Sequence, residues 1–148
     1  VPIPPLQVHP IPAELADGDV RYQQELRQTY DSFRIAGGER RRYPRLDLIV
    51  LGMGPDGHTA SLFPGHELPD PDLWAQRVTD SPKPPAVRVT LTLPLINAAE
   101  AVAFLVTGAE KAPALAGVLH GDTALPAARV APTHGRLVVL SDRAAYGG

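Results

Sequence analysis

Residues 46–65 read LDLIVLGMGPDGHTASLFPG, and the fold follows from how this stretch divides. Leu46 to Met53 is a short, nearly continuous apolar run. It is too brief for a buried helix and fits a strand covered on both faces, as in a parallel sheet. Gly52 to Gly57 breaks that pattern with three glycines, one proline and one aspartate. His58 to Phe63 predicts one or two helical turns, stopped by Pro64 and Gly65. Downstream, 66–73 reads as a loop and Ala75 to Thr79 as a short strand. Val87, Val89, Leu91 and Leu93 alternate with polar residues and predict another strand. Ala101 to Val106 (AVAFLV) predicts a further buried strand. Gly108 then precedes a helix from about Ala109 to Leu119, and Arg136 to Leu140 predicts the last strand. Asp142 is placed to cap a final helical turn ended by Gly147 and Gly148.

Upstream, Val1 to Pro12 is proline-rich and reads as an extended entry segment. Asp17 is placed to cap a helix. Tyr22, Leu26, Thr29, Tyr30 and Phe33 follow at the spacing of one helix face, and Gly37 and Gly38 end it. The run Glu39 to Arg42, with Arg40, Arg41 and Arg42 in succession, reads as a solvated loop. Strands alternating with helices predict an α/β domain with a mostly parallel sheet, one domain over 1–148. In such sheets ligands sit beyond the carboxyl ends of the strands. Gly52–His58 and Thr107–Lys111 both follow strands, so they are expected to line one crevice.

Composition narrows the chemistry. The 148 residues are 44% hydrophobic, enough for a packed core. Cysteine is absent, which excludes disulfide scaffolds and thiolate metal sites and points to a reducing compartment, most simply the cytoplasm. A formal net charge of −2 argues against non-specific nucleic-acid binding. No apolar run approaches a membrane span, and no signal-peptide pattern opens the sequence.

The chemistry concentrates in Leu51 to Gly65. Gly52, Gly54 and Gly57 spell G-x-G-x-x-G after a strand, the dinucleotide fingerprint. Against that reading, Pro64 stops the following helix early, and Asp56 stands among the amides that would face phosphate. Asp56-Gly57-His58 supports a different one. A histidine at a helix N-terminus meets the positive end of the dipole and stays neutral, able to take a proton from water or a sugar hydroxyl. Asp56 is placed to hold its tautomer, or else to cap the turn. The three glycines permit positive φ and let a ligand approach the backbone, whose amides can meet an oxyanion. A capping aspartate beside an incidental histidine fits the same spacing. A Ser–His–Asp arrangement through Ser61 lacks the G-x-S-x-G elbow. The other histidines show no metal-ligand pairing. Lys111, after a strand and Gly108 at the start of a helix, is placed to meet a phosphate, or is a surface lysine. Arg88, alternating out of a strand, needs solvent, an anion or a salt bridge.

The stretch LGMGPDGHTASLFPGH (51–66) closely resembles the signature of 6-phosphogluconolactonases. The similarity extends to IPAEL (11–15), RVTLTLPLINAAEAVAFLVTG (88–108), EKA (110–112), PAARVAP (126–132) and the closing strand with Asp142. The resemblance implies hydrolysis of 6-phosphogluconolactone to 6-phosphogluconate in the oxidative pentose phosphate pathway. It also implies the modified Rossmann-type fold of sugar-phosphate isomerases and no cofactor or metal. It makes His58 the base that activates water and Asp56 its orienting partner. Gly52, Gly54, Gly57, Lys111 and Arg88 then become substrate-binding positions, with a small sugar-phosphate lactone as partner. Glucosamine-6-phosphate deaminases share G-x-G-x-D-G-H but continue I-A-F-N-E-P-G. Thr59, Ser61 and Leu62 depart from that pattern, and Phe63 stands where the deaminase has a glutamate. The resemblance further implies an upstream block with a Ser-Gly-Gly phosphate loop and an Asp-Glu-Arg segment. Neither motif occurs here, so the chain resembles the C-terminal part of the family domain. An inactive fragment or a binding module retaining a sugar-phosphate half-site is the alternative expectation.

Overall fold

The computed structural model describes residues 2–35 and 42–147, with the side chains of 32–35 left aside. Its elements are α1 (Gly18–Ile35), β1 (Ile49–Gly52), β2 (Ala75–Val78), β3 (Arg88–Leu91), α2 (Leu93–Asn97), β4 (Ala101–Val106), α3 (Ala112–Leu119), β5 (Arg136–Ser141) and α4 (Arg143–Tyr146). β1, β4 and β5 form a parallel sheet in that order, with Ile49 opposite Val102 and Ala101 opposite Arg136. β2 and β3 form a separate antiparallel pair. The expected α/β architecture with a mostly parallel sheet is therefore present.

The sheet is covered on one face. Ile49, Leu51, Val102, Phe104 and Val106 point into a core completed by Ile96 of α2, Ala114 and Leu115 of α3, Ala127, Val130 and Ala145 of α4. Burying these apolar side chains supplies the main driving force, about 25 cal/mol per Å² removed from water. On the opposite face Val50 is 55% exposed, Leu105 50% and Leu140 54%. The expectation that Leu46–Met53 and Ala101–Val106 are buried on both faces is thus corrected. A continuous apolar run shows that both faces prefer burial, and every described helix touching this sheet packs on the same side.

The antiparallel pair is tied to α1 by polar and aromatic contacts. Asp19 accepts from the Arg77 amide at 3.0 Å, and Gln23 from the Trp74 amide at 2.6 Å. Tyr30 meets the Trp74 ring edge-on at 5.7 Å, and the Arg27 guanidinium lies 4.5 Å over it. Tyr22, Leu26 and Tyr30 of the face placed by periodicity are half-buried, whereas Thr29 of the same set is exposed. Asp17 precedes the helix as expected, and its carboxylate takes the Arg21 guanidinium at 2.8 Å. Phe33's side chain, Gly37, Gly38, Arg40 and Arg41 lie outside the description. Arg42 pairs with Asp72 and stacks over Tyr43.

In β3 Thr90 is buried and Leu91 packs against the core, whereas Val87, just before the strand, is 43% exposed. Threonine is accommodated because its hydroxyl accepts from the Ser61 amide at 3.1 Å. Thr92 is buried likewise, donating to the Leu73 carbonyl at 2.8 Å. Leu93 leaves the strand and begins α2, with Pro94 in the first turn, where its missing N–H costs nothing. The helix foreseen over 109–119 is a 3-10 turn, Ala109–Lys111, leading into α3. Asp142 caps α4, accepting from the Ala145 amide at 2.8 Å, and Gly147 closes it at φ 97°.

Candidate active site

Beyond β1 the chain enters no helix. Residues 53–63 form a compact turn with an isolated bridge between Thr59 and Leu62. The expected helical turns over His58–Phe63 are absent, so no helix dipole acts on His58. The local bonds explain why. Gly54 donates to the His58 carbonyl at 2.9 Å, Gly57 to the Gly54 carbonyl at 3.0 Å, and the Thr59 hydroxyl to the Gly52 carbonyl at 2.9 Å. These partners take backbone groups a helix would need. The glycine pattern therefore opens no helix, and the dinucleotide fingerprint loses its structural context.

The turn brings the Asp-Gly-His residues together. His58 Nδ1–H donates to Asp56 Oδ1 at 2.6 Å, which leaves Nε2 with its lone pair. Gly54 lies directly beneath the pair: a Cβ there would collide with the imidazole and with Asp56 Oδ1. Gly57 sits at φ 78°, in the left-handed region, against Leu125. Gly52 has open space where a side chain would project. The glycines thus serve distinct ends, and only Gly57 of the three adopts positive φ. The amides of Gly54 and Gly57 are bonded within the structure of the turn.

Burial pushes the Asp56 carboxyl up, but hydrogen bonds from His58 and Lys83 outweigh it and hold the group at about 2, against 3.8 ordinarily. Asp56 is therefore ionised at neutral pH. The Phe63 ring, almost wholly buried, packs on the imidazole at 4.9 Å and fixes its tilt. Where the deaminase pattern has a carboxylate, this site has an apolar wall.

Gly52, Gly54, His58, Lys83 and Lys111 line one crevice at the carboxyl ends of β1 and β4. The two segments expected there do converge, because β1 and β4 are parallel neighbours. Lys111 closes the 3-10 turn and immediately precedes α3. Its side chain is 20% exposed, with Glu110 at 4.0 Å from the ammonium. Gly108 is anchored by the Asp142 carboxylate, which accepts its amide at 3.1 Å and so ties this loop to α4.

Arg88 is placed differently. Its guanidinium donates to the carbonyls of Lys83, Pro84 and Pro85 at 3.2, 2.9 and 3.1 Å, and lies 5.7 Å over Phe63. Ser61 is buried and opens onto another depression, beside His66 and Asp80. No cluster of three metal-ligating side chains occurs among the described residues. Sequence reasoning missed Lys83. Its ammonium stands 3.1 Å from Asp56 Oδ2 and 3.4 Å from His58 Nδ1. The available signal was the run SPKPP (81–85), a stiff turn holding a single cation before the β3 strand.

Comparison with known proteins places the chain among its relatives. The chain is 44% identical to 6-phosphogluconolactonase of Rattus norvegicus over 98% of its own length and 55% of the relative's. It is 43% identical to that of Homo sapiens, with the same shares. It therefore spans about half the length of these curated relatives. Among solved structures, 6-phosphogluconolactonase from Thermotoga maritima superposes with a TM-score of 0.72 at 32% identity, covering 95% of this chain and 58% of that one. The family described as glucosamine-6-phosphate isomerases/6-phosphogluconolactonase matches residues 1–139, and the chain belongs to it.

Proposed function

We propose that the chain hydrolyses 6-phosphogluconolactone to 6-phosphogluconate, the reaction of the oxidative pentose phosphate pathway, with His58 as general base. The observation that carries this reading is the 2.6 Å Asp56–His58 bond at the mouth of a crevice that also holds Lys111. Nε2 of His58 takes a proton from water as the water oxygen bonds to the lactone carbonyl carbon. The carbonyl oxygen becomes an oxyanion. The imidazolium returns its proton to the ring oxygen as the carbon–oxygen bond breaks. Asp56 keeps the imidazole in the productive tautomer and stabilises the transient cation. Lys111 holds the phosphate, and the Gly52 opening gives the sugar room to approach the backbone. Fixing the phosphate lowers the entropic cost of bringing lactone and base together. Names of relatives at 43–44% identity support the same substrate. No cofactor takes part, and the cytoplasm is the proposed location.

The competing activity is deamination of an amino-sugar phosphate. It is disfavoured by Phe63, which puts a buried ring against His58 where that chemistry uses a carboxylate. The two are separated by offering the chain both substrates. Generation of 6-phosphogluconate above spontaneous hydrolysis, with no ammonia from glucosamine 6-phosphate, is expected. Ammonia release without lactone hydrolysis would replace this reading. Sugar-phosphate binding without turnover would identify a binding module.

A further inference from the structure

We propose that Lys83 is a positioning residue for the base: its ammonium, carried on a turn that Arg88 braces, shares the Asp56 carboxylate with His58 and opposes a second proton on the imidazole. The inference rests on reading His58 as the base. With the helix absent, the dipole expected to keep His58 neutral is absent too, while Asp56 favours a second proton on the ring. A compensating positive charge is needed, and Lys83 is where it would act.

Three observations carry the argument. Lys83 Nζ is 3.1 Å from Asp56 Oδ2, while His58 Nδ1 takes Oδ1 of the same carboxylate. The carboxylate is thus shared between a permanent cation and the imidazole. Lys83 Nζ is also 3.4 Å from Nδ1. Nδ1 already carries the proton it gives to Asp56, so ammonium and ring are both donors there. Their relation is one of charge, and it opposes protonation of Nε2. Finally, Lys83 is held from behind. Its carbonyl accepts from Arg88 and from the Ser81 hydroxyl at 2.7 Å, and Ser81 is buried. Arg88 also clamps Pro84 and Pro85, so a stiff turn fixes the backbone from which the Lys83 side chain reaches Asp56.

Lys83 is the ammonium paired with the Asp56 carboxylate, and other groups stand around the ring. Lys111 lines the same crevice, and Phe63 presents an apolar ring. His66 and Arg88 contact the Phe63 ring, and Asp80 pairs with His66 at 3.2 Å.

The test is an NMR titration of the His58 ring in the wild-type chain and in Lys83→Met, Lys83→Arg and Arg88→Gln. A unit charge at this distance in a water-like dielectric is worth about one pH unit, a tenfold change in proton affinity. Lys83→Met is expected to move the His58 titration up by about that amount. Lys83→Arg should stay within a few tenths of wild type, and Arg88→Gln should move upward by less than Lys83→Met. In Lys83→Met the acid limb of kcat/KM should rise with the ring titration. A merely structural lysine would leave that titration where it is. An unmoved His58 in folded Lys83→Met, or Lys83→Arg behaving like Lys83→Met, overturns the proposal. The ring titration needs no turnover, so a wild-type chain without lactonase activity would count against the proposed function alone.

Discussion

Replacing Gly54 with alanine sets one methyl group against the Asp56–His58 pair. The added carbon would occupy space held by the imidazole and the carboxylate. The backbone cannot retreat freely, because Gly54 donates to the His58 carbonyl at 2.9 Å and accepts from Gly57 at 3.0 Å. The side chains must move instead, breaking the 2.6 Å bond between them. A hydrogen bond to a charged group contributes about 1.5–3 kcal/mol net, and overpacking costs about 1–3 kcal/mol. Part of this is relieved by solvent at the open crevice, so about 1–3 kcal/mol of destabilisation is expected. With a urea slope of roughly 2 kcal/mol per molar, the unfolding midpoint falls by about 0.5–1.5 M. Displacing the base by about 1 Å should also cost about 100-fold in kcat/KM. Gly52→Ala is the internal control, since nothing lies within 4 Å of the added carbon. Its unfolding free energy should stay within about 0.5 kcal/mol of wild type. Both variants are read by urea unfolding, and Gly54→Ala also by lactone turnover. Wild-type stability and kcat/KM in Gly54→Ala would refute the reasoning.

Further expectations concern the sheet, the carboxylate and the phosphate site. Leu51→Ala should cost about 2–5 kcal/mol by urea unfolding, while Val50→Ala, on the open face, should cost less than about 1 kcal/mol; equal losses would mean that both faces are covered. Asp56 is held below its ordinary range, so its stabilising contribution is present above about pH 4 and lost as pH falls toward 2. The drop in urea midpoint between pH 5 and pH 2.5 should therefore be smaller in Asp56→Asn than in wild type, modestly so because the group is about a third exposed; an identical drop would contradict the assignment. Lys111→Met should lower kcat/KM for the phosphorylated lactone by about 10–100-fold, chiefly through KM, and a variant with unchanged KM would remove the lysine from the phosphate site.

Much of this was legible before any coordinates. The apolar runs at 49–52 and 101–106 announced parallel strands, and the crevice at their carboxyl ends follows from that topology. Asp56, His58 and Lys111 could be picked out from residue type and position. What misled was local pattern without partners. His58–Phe63 has helical composition, but Thr59 and Leu62 bond each other and the glycines turn the chain back. The alternation of Val87, Val89, Leu91 and Leu93 announced β3, but not that Thr90 on the other face would be buried, its hydroxyl accepting from the Ser61 amide. Burial on both faces of the sheet could not be judged from the strands alone, since it depends on where the helices pack. Lys83 escaped because its place comes from the loop's return to Asp56, and Arg88, singled out as an anion or substrate contact, instead bonds three carbonyls on one turn. Such convergence is tertiary and leaves little trace in spacing.

The central claim is that His58 removes the proton from water in lactone hydrolysis. Its most direct test is kcat/KM for 6-phosphogluconolactone in wild-type chain and His58→Ala, with the lactone generated in situ and spontaneous hydrolysis subtracted. The account predicts turnover in wild type and a loss of about 10²–10⁴-fold in the variant. Near-wild-type turnover in folded His58→Ala would contradict it.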